Sequence, residues 1–425
     1  MNKQKDNYKW VICFACTLMQ FCNGGLGSTG FSVYQPYLIS LSGLTNAQTS
    51  TMITFRQLMI LVGMTVSARL IRRFEVRRVT CAAVLLSAAG FFLYSLGGSY
   101  AMYCAGASLV GFAYGFGGAI PVSIIISRWF DEHRGLALGL CMSATGLSAF
   151  AASPVINMLT QRYSLSFSFF VEAVFIGCCG ILSTVLMHSR PSHTHAAPAG
   201  SREIRMKRNY AVHDAPRPLY IAMMAGIFLF GIPSNLLNSH ISVLYGSSGF
   251  TMGQVSILIS VLGLAMTIGK ASYGYICDRF GIYHTSMIFY ILVLAGTGLN
   301  CLADRISFPV ALAAVALMAY GLAIAAVSIP MYAAKIMTEH EYSQTVTRLN
   351  FLFTLGSLLL GPMPGIIADM TGSYIPAFII LFIIALVSSI LILRVYLAIR
   401  RLDVKFEKME DEKMEDEKME RRNVK

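Results

Sequence analysis

Apolar runs of about twenty residues recur along nearly the whole chain, separated by short polar or basic breaks. A run of that length crosses a ~30 Å hydrocarbon core as a helix. The pattern predicts twelve helices. The first six cover 10–39, 46–71, 79–97, 100–127, 135–159 and 166–188. The second six cover 219–245, 252–277, 283–303, 308–337, 346–369 and 374–399. The chain reads as an all-α polytopic membrane protein, whose helix faces pack against one another in lipid. Composition agrees: the 425 residues are 56% hydrophobic and 13% charged, against about 25% charged in a soluble domain.

Charge sets the orientation. Lys3, Lys5 and Lys9 precede the first helix, and Arg69, Arg72, Arg73, Arg77 and Arg78 follow the second. Arg128 and Arg134 follow the fourth, and a basic segment fills the middle of the chain. The alternate loops hold only Arg162 and Arg305. By the positive-inside bias both termini are cytoplasmic, at the cell membrane. The net charge of +12 lies at helix ends and forms no patch, so no nucleic-acid partner is expected. Trp10–Ile39 is too long for a cleavable signal peptide.

The partition that follows is 1–188, a first bundle; 189–218, a cytoplasmic linker; 219–400, a second bundle; and 401–425, an acidic tail repeating EKMED, solvated and partly helical. His193 and His195 belong to the linker and lack further ligands. The Cys13-x-x-Cys16 pair and the adjacent Cys178 and Cys179 are equally isolated. They read as small apolar filler, and no metal or cofactor is expected. Membrane-embedded catalysis would need clustered His, Asp, Glu or Cys, so an enzyme is not expected either.

The two halves repeat. Thr45-x-x-Gln48 recurs 206 residues later as Thr251-x-x-Gln254. Gly63 with Gly269, Arg73-Phe74 with Arg279-Phe280, and Ala113-Tyr114-Gly115 with Ala319-Tyr320-Gly321 keep the same offset. Each T-x-x-Q is a capping-box pattern that opens a helix. Two parallel six-helix repeats joined by a basic loop resemble the major facilitator transporters. GKASYGYICDRFG, with Gly269, Asp278 and Arg279, resembles that superfamily's cytoplasmic signature. Its first-half copy is degraded: Arg72 stands where the acid belongs, beside Arg73, and Glu75 replaces the glycine. The resemblance implies the major facilitator fold, two pseudo-symmetric six-helix bundles, and a monomer.

The run SRWFDEHRGLALGLCMSATG, with Arg134, is similar to the signature entering helix five in oxalate/formate exchangers and monocarboxylate porters. The glycine-rich NGGLGSTGFSVYQPYL resembles the opening helix of the same group. That group places a cation in helix eight, where this chain has Lys270. The residue is notable without any resemblance. It sits in an apolar run, with Met266 and Gly274 one turn either side and no acid near. A cation in hydrocarbon costs about 2.5–3.5 kcal/mol on insertion scales. Asp278 marks the helix end ~12 Å away, beyond a lysine's reach. Lys270 therefore reads as the contact for an anionic solute, with snorkelling or an internal ion pair as the alternatives. The group's other charges are missing: Thr29, Thr354 and Met266 stand in their places.

Arg56 is a second cation within a span, read as a further anion contact or as a snorkelling or paired side chain. Glu172 is a candidate proton carrier. His240 is a candidate for proton coupling or an outer gate. Thr29, Tyr34, Tyr114, Tyr320 and Asn238 complete the substrate-binding candidates on predicted cavity helices. The expected function is alternating-access transport of small mono- or dicarboxylates, by exchange, uniport or proton symport. The partners expected are the solute, the bilayer and, in the symport mode, protons. A drug/proton exporter of the same fold is the alternative. It is less favoured, because the helix-five region AFAASPVINML lacks the exporters' GPxxGG.

Overall fold

The structure, a computed structural model, describes residues 2–130, 134–187, 217–336 and 342–423. Among them are twelve helices long and apolar enough to cross a membrane. They are α1 (Tyr8–Ser42), α2 (Asn46–Ile71), α3 (Val76–Leu96), α4 (Tyr100–Ile126), α5 (Ala137–Arg162) and α6 (Leu165–Leu186). Then follow α7 (Arg217–Ser247), α8 (Met252–Cys277), α9 (Arg279–Asn300), α10 (Phe308–Ile329), α11 (Thr345–Thr371) and α12 (Ile375–Arg401). The boundaries lie within a few residues of those read from the apolar runs. The linker falls outside the described residues except for Arg217 and Pro218, which open α7. The helix of α12 continues to Asn423, so the backbone of the tail is more regular than its composition implied.

Local chemistry explains the helix starts. Thr45 and Thr251 both form capping boxes. Their hydroxyls accept from the Gln48 and Gln254 amides, while the glutamine side chains accept from the threonine N–H groups. Gly281, at φ 76°, is the non-helical residue that kinks the chain just after α9 begins. Glycine also sets the closest helix contacts. A Cβ on Gly63 of α2 would lie 2.6 Å from the Phe112 carbonyl oxygen of α4. Its repeat partner Gly269 on α8 would meet the Tyr320 carbonyl of α10 at the same 2.6 Å. Without a hydrophobic drive between helices in lipid, such close backbone approach is what packs them. Arg73 and Arg279 repeat each other too, lying 5.8 and 5.7 Å from the rings of Phe74 and Phe280.

α1 departs from regular helix. Phe21–Thr29 is a π-helix and Gly30–Val33 a short 3-10 segment, before α-helix resumes at Tyr34. Wide turns of this kind are rare and concentrate at functional sites.

α1 starts, and α12 finishes, at one end of the molecule, called proximal here. The contacts between the two bundles favour the other, distal end. There α2 meets α11 and α7 and the distal part of α1 meets α7, while α5 meets α8 nearer the middle of the two helices. The proximal pieces of α4 and α10 pack within their own bundles. The distal seam is polar. Asp369 of α11 accepts hydrogen bonds from the backbone N–H of Asn46 at 3.1 Å and of Ala47 at 2.8 Å. It also accepts from the Asn46 side-chain amide at 2.8 Å. Tyr374 donates to Asn46 Oδ1 at 3.0 Å. One carboxylate thus caps the free N-terminal amides of a helix in the other bundle, where the helix dipole also favours negative charge.

Replacing that carboxylate by an amide removes charge-assisted bonds worth about 1.5–3 kcal/mol each. Asp369→Asn should therefore lengthen the distance between spin labels at Leu41 and Met370. An unchanged distance distribution would show that the seam is held elsewhere.

Candidate functional site

Lys270 lies on the α8 face toward α5. The ammonium, half-buried, donates to Thr145 Oγ1 at 2.7 Å. Thr145 passes its own hydroxyl hydrogen to the Met142 carbonyl at 2.9 Å, so a lone pair is free for the lysine. The helices can meet because both are glycine there: a Cβ on Gly146 would lie 2.5 Å from the Gly263 carbonyl oxygen. Thr267 adds a 3.3 Å bond to the Ser143 carbonyl.

The π segment of α1 closes on the same place. A Cβ on Gly24 would be 2.8 Å from the Thr145 methyl, 3.0 Å from the Tyr114 ring and 3.5 Å from Gln20 Oε1. Gln20 is 1% exposed, and that oxygen has no partner among the described residues. Lys270, Thr145, Tyr114 and Gln20 thus converge from α8, α5, α4 and α1. Together they present one cation and neutral hydrogen-bonding groups, which is chemistry for a single carboxylate.

Arg56 places its hydrogen bond outside this cluster, although it lies within electrostatic range of Tyr114. It is 3% exposed, donates from Nη1 to the Gly27 carbonyl at 2.8 Å, and lies 5.7 Å from the Phe31 ring. It neither snorkels nor reaches α11. It holds a carbonyl of the irregular stretch of α1, where the helical ladder is disturbed. Gly111 presses on its backbone and leaves it little room to swing.

Tyr34 also turns away. Its hydroxyl donates to Glu172 Oε2 at 2.7 Å and shares a 2.8 Å bond with Ser168, while its ring stacks on Phe169 at 4.1 Å. Glu172, the candidate proton carrier, is 7% exposed and tied to α1. Its Oε1 has no partner among the described residues.

His240 shares a 2.9 Å hydrogen bond with Ser50 across the α2–α7 seam. Tyr320 bonds Ser272 at 2.6 Å and stacks on Phe289, so it ties α10 to α8 and α9. Thr29 is buried at the end of the π segment, its carbonyl accepting from Ser32 at 2.7 Å. Asn238 is half-buried with an unpartnered Oδ1. The side chains of Asp278 and Arg134 lie outside the described residues. No group of three or more His, Cys, Asp or Glu suited to a metal occurs among the described residues.

The sequence reading missed Thr145, Gln20 and Asp369. Thr145 is 125 residues from Lys270, and a threonine within an apolar helix carries no signal of its own. Gln20 had one, as a carboxamide inside a span. Asp369 did too, as an acid at a distal helix end.

The sequence model of the Major Facilitator Superfamily matches residues 16–282 and 223–415. The chain belongs to that superfamily, and so is a multi-pass transporter that moves a small molecule across a lipid bilayer. It is 24% identical to monocarboxylate transporter 12 of Mus musculus over 76% of this chain and 72% of that one. The match to the Homo sapiens protein of that name is 23% identical and spans 58% of its length. An uncharacterized MFS-type transporter of Escherichia coli, YhjX, is 22% identical over 72% of this chain and 76% of its own. Among solved structures, the nucleoside transporter NupG superposes with a TM-score of 0.73 at 13% identity, covering 92% of this chain and all of that one. A bacterial homologue of the human lysosomal transporter Spinster, in an inward-facing unoccupied conformation, gives 0.65 at 15% identity, covering 94% and 98%. At such identities the structures show the fold alone.

The placement of Arg56 has a direct check. Arg56→Met should lower the thermal-inactivation midpoint in detergent, because the Gly27 carbonyl loses its donor. The KM of the folded fraction should stay within about two-fold, since a removed substrate contact to charge costs roughly ten-fold or more. A ten-fold rise in KM would put Arg56 in the solute's path.

Proposed function

We propose that this chain carries small monocarboxylates across the cell membrane by alternating access, and that Lys270 is the residue that meets the carboxylate. The supporting observation is the division of labour between the two cations within the spans. Arg56 gives its Nη1 to a backbone carbonyl and lies over an aromatic ring, with its Nε unpartnered among the described residues. Lys270 has only a neutral hydroxyl as its partner among the described residues. A hydroxyl leaves the ammonium's charge uncompensated, so an incoming carboxylate gains the full charge-assisted interaction. One available cation suits one carboxylate. A dicarboxylate would carry a second charge into the membrane without a counter-charge.

The names of the curated relatives agree with this reading. With both termini cytoplasmic, as the basic loops imply, the proximal end faces the cytoplasm. The bundles 1–188 and 219–400 then rock about the site, the distal seam opening as the proximal side closes. Tyr114 and Gln20 orient the solute. Glu172, bonded to Tyr34, is the group to carry a proton if the mode is symport. Exchange and uniport use the same site without it. We take the working unit to be a monomer.

The test is counterflow in proteoliposomes with labelled acetate, lactate, pyruvate, oxalate and succinate. The monocarboxylates should exchange and the dicarboxylates should not. Lys270→Ala should raise the KM at least about ten-fold, the worth of one hydrogen bond to a charged group, with expression intact. Wild-type exchange by that variant would remove Lys270 from the site.

A further inference from the structure

The Lys270–Thr145 bond crosses from one bundle to the other. Lys270 belongs to α8 and Thr145 to α5, and these helices must separate at the distal end whenever the carrier opens that way. Along α8, Gly263, Thr267 and Lys270 step from the distal toward the proximal side. Their α5 partners are Gly146, Ser143 and Thr145. The first contact is bare backbone. The second is a long bond to a carbonyl. The third is the short charged bond, in which Lys270 reaches back to Thr145, between Ser143 and Gly146 along α5.

We infer that Thr145 is a positioning residue that straps the empty carrier shut. With no solute bound, the ammonium has Thr145 as its partner, and parting α5 from α8 strips that partner away inside the membrane. A bound carboxylate replaces the hydroxyl on the ammonium. The loaded carrier then parts the two helices without leaving the lysine bare. The strap therefore slows the return of the empty carrier more than the movement of the loaded one, and it biases transport toward exchange over net flux. This rests on Lys270 meeting the carboxylate, but the bond itself can be examined with no solute present.

The experiment is a distance measurement on the full chain in nanodiscs, without any carboxylate. Spin labels go at Tyr163 and Gly253, at the distal ends of α5 and α8. They are attached through non-cysteine chemistry, because the chain has ten cysteines. The parent should show mainly the short distance. Thr145→Val keeps the shape and removes the acceptor, and it should raise the long-distance population about ten-fold, as loss of one hydrogen bond to a charged group does. Thr145→Ser should restore the parent distribution. Lys270→Met should match Thr145→Val, and the double variant should add nothing to either, since both break one bond. Additive shifts, an unchanged distribution in Thr145→Val, or failure of the serine variant to restore it would overturn the strap. Failure of Lys270→Ala in counterflow, with the strap intact in this assay, would confirm the site and leave the strap standing. Normal counterflow by Lys270→Ala, with the distances as expected, would leave a strap that closes the carrier without serving the solute, and that outcome would overturn the exchange bias.

Discussion

In hydrocarbon no backbone N–H or C=O can be left without a partner, because no water is there to supply one. Much of this structure answers that single constraint. It forces the spans to be helices. It puts a capping box at the start of α2 and of α8. Where α1 abandons regular helix, it brings in Arg56 to take the Gly27 carbonyl. Where α2 begins at the distal seam, it brings in Asp369 from the opposite bundle to take two free amides. Two charged residues, Arg56 and Asp369, are therefore in use as backbone partners. Lys270 stands out because its partner is a side-chain hydroxyl from the opposite bundle.

The apolar runs were long enough to be read as helices one by one, and the repeat at a constant offset exposed the two-bundle arrangement. Gly63 and Gly269 show why that worked. Both mark the same kind of close helix crossing, so the physical demand repeats with the fold. The site was only half legible. Lys270 declared itself by the cost of its charge, but its partner did not, because any of the many threonines and serines in the spans was a possible acceptor. Arg56 and Tyr34 looked like substrate contacts because sequence shows that a polar group lies in a span and not which way it faces. Which face of α1 meets α6 depends on the π segment, and nothing in NGGLGSTG announces extra residues per turn.

Membership of the superfamily and the low identity to named monocarboxylate transporters bear on different things. The first accounts for the bundle architecture and for transport. The second leaves the inside of the site to this chain's own residues. By the resemblance read from the sequence, Thr29, Met266 and Thr354 stand where a charge is expected. Around Lys270 the structure gathers one ammonium, a threonine, a phenol and a carboxamide.

The ties of α1 bear on how the molecule moves. Its proximal stretch bonds α5 through Cys13 and Gln20, its middle bonds α2 through the Gly27 carbonyl, and its distal stretch bonds α6 and α5 through Tyr34 and Tyr37. Toward the other bundle it shows an apolar touch, Pro36 against Gly246. A helix fastened along its whole length to one body and merely resting on the other behaves as part of a rigid lever. The bends of α1 are then frozen shape and not a flexing joint. Movement falls to the thin glycine-lined surfaces between the bundles, which slide with few bonds to break, so the machine's friction is concentrated in a handful of polar latches.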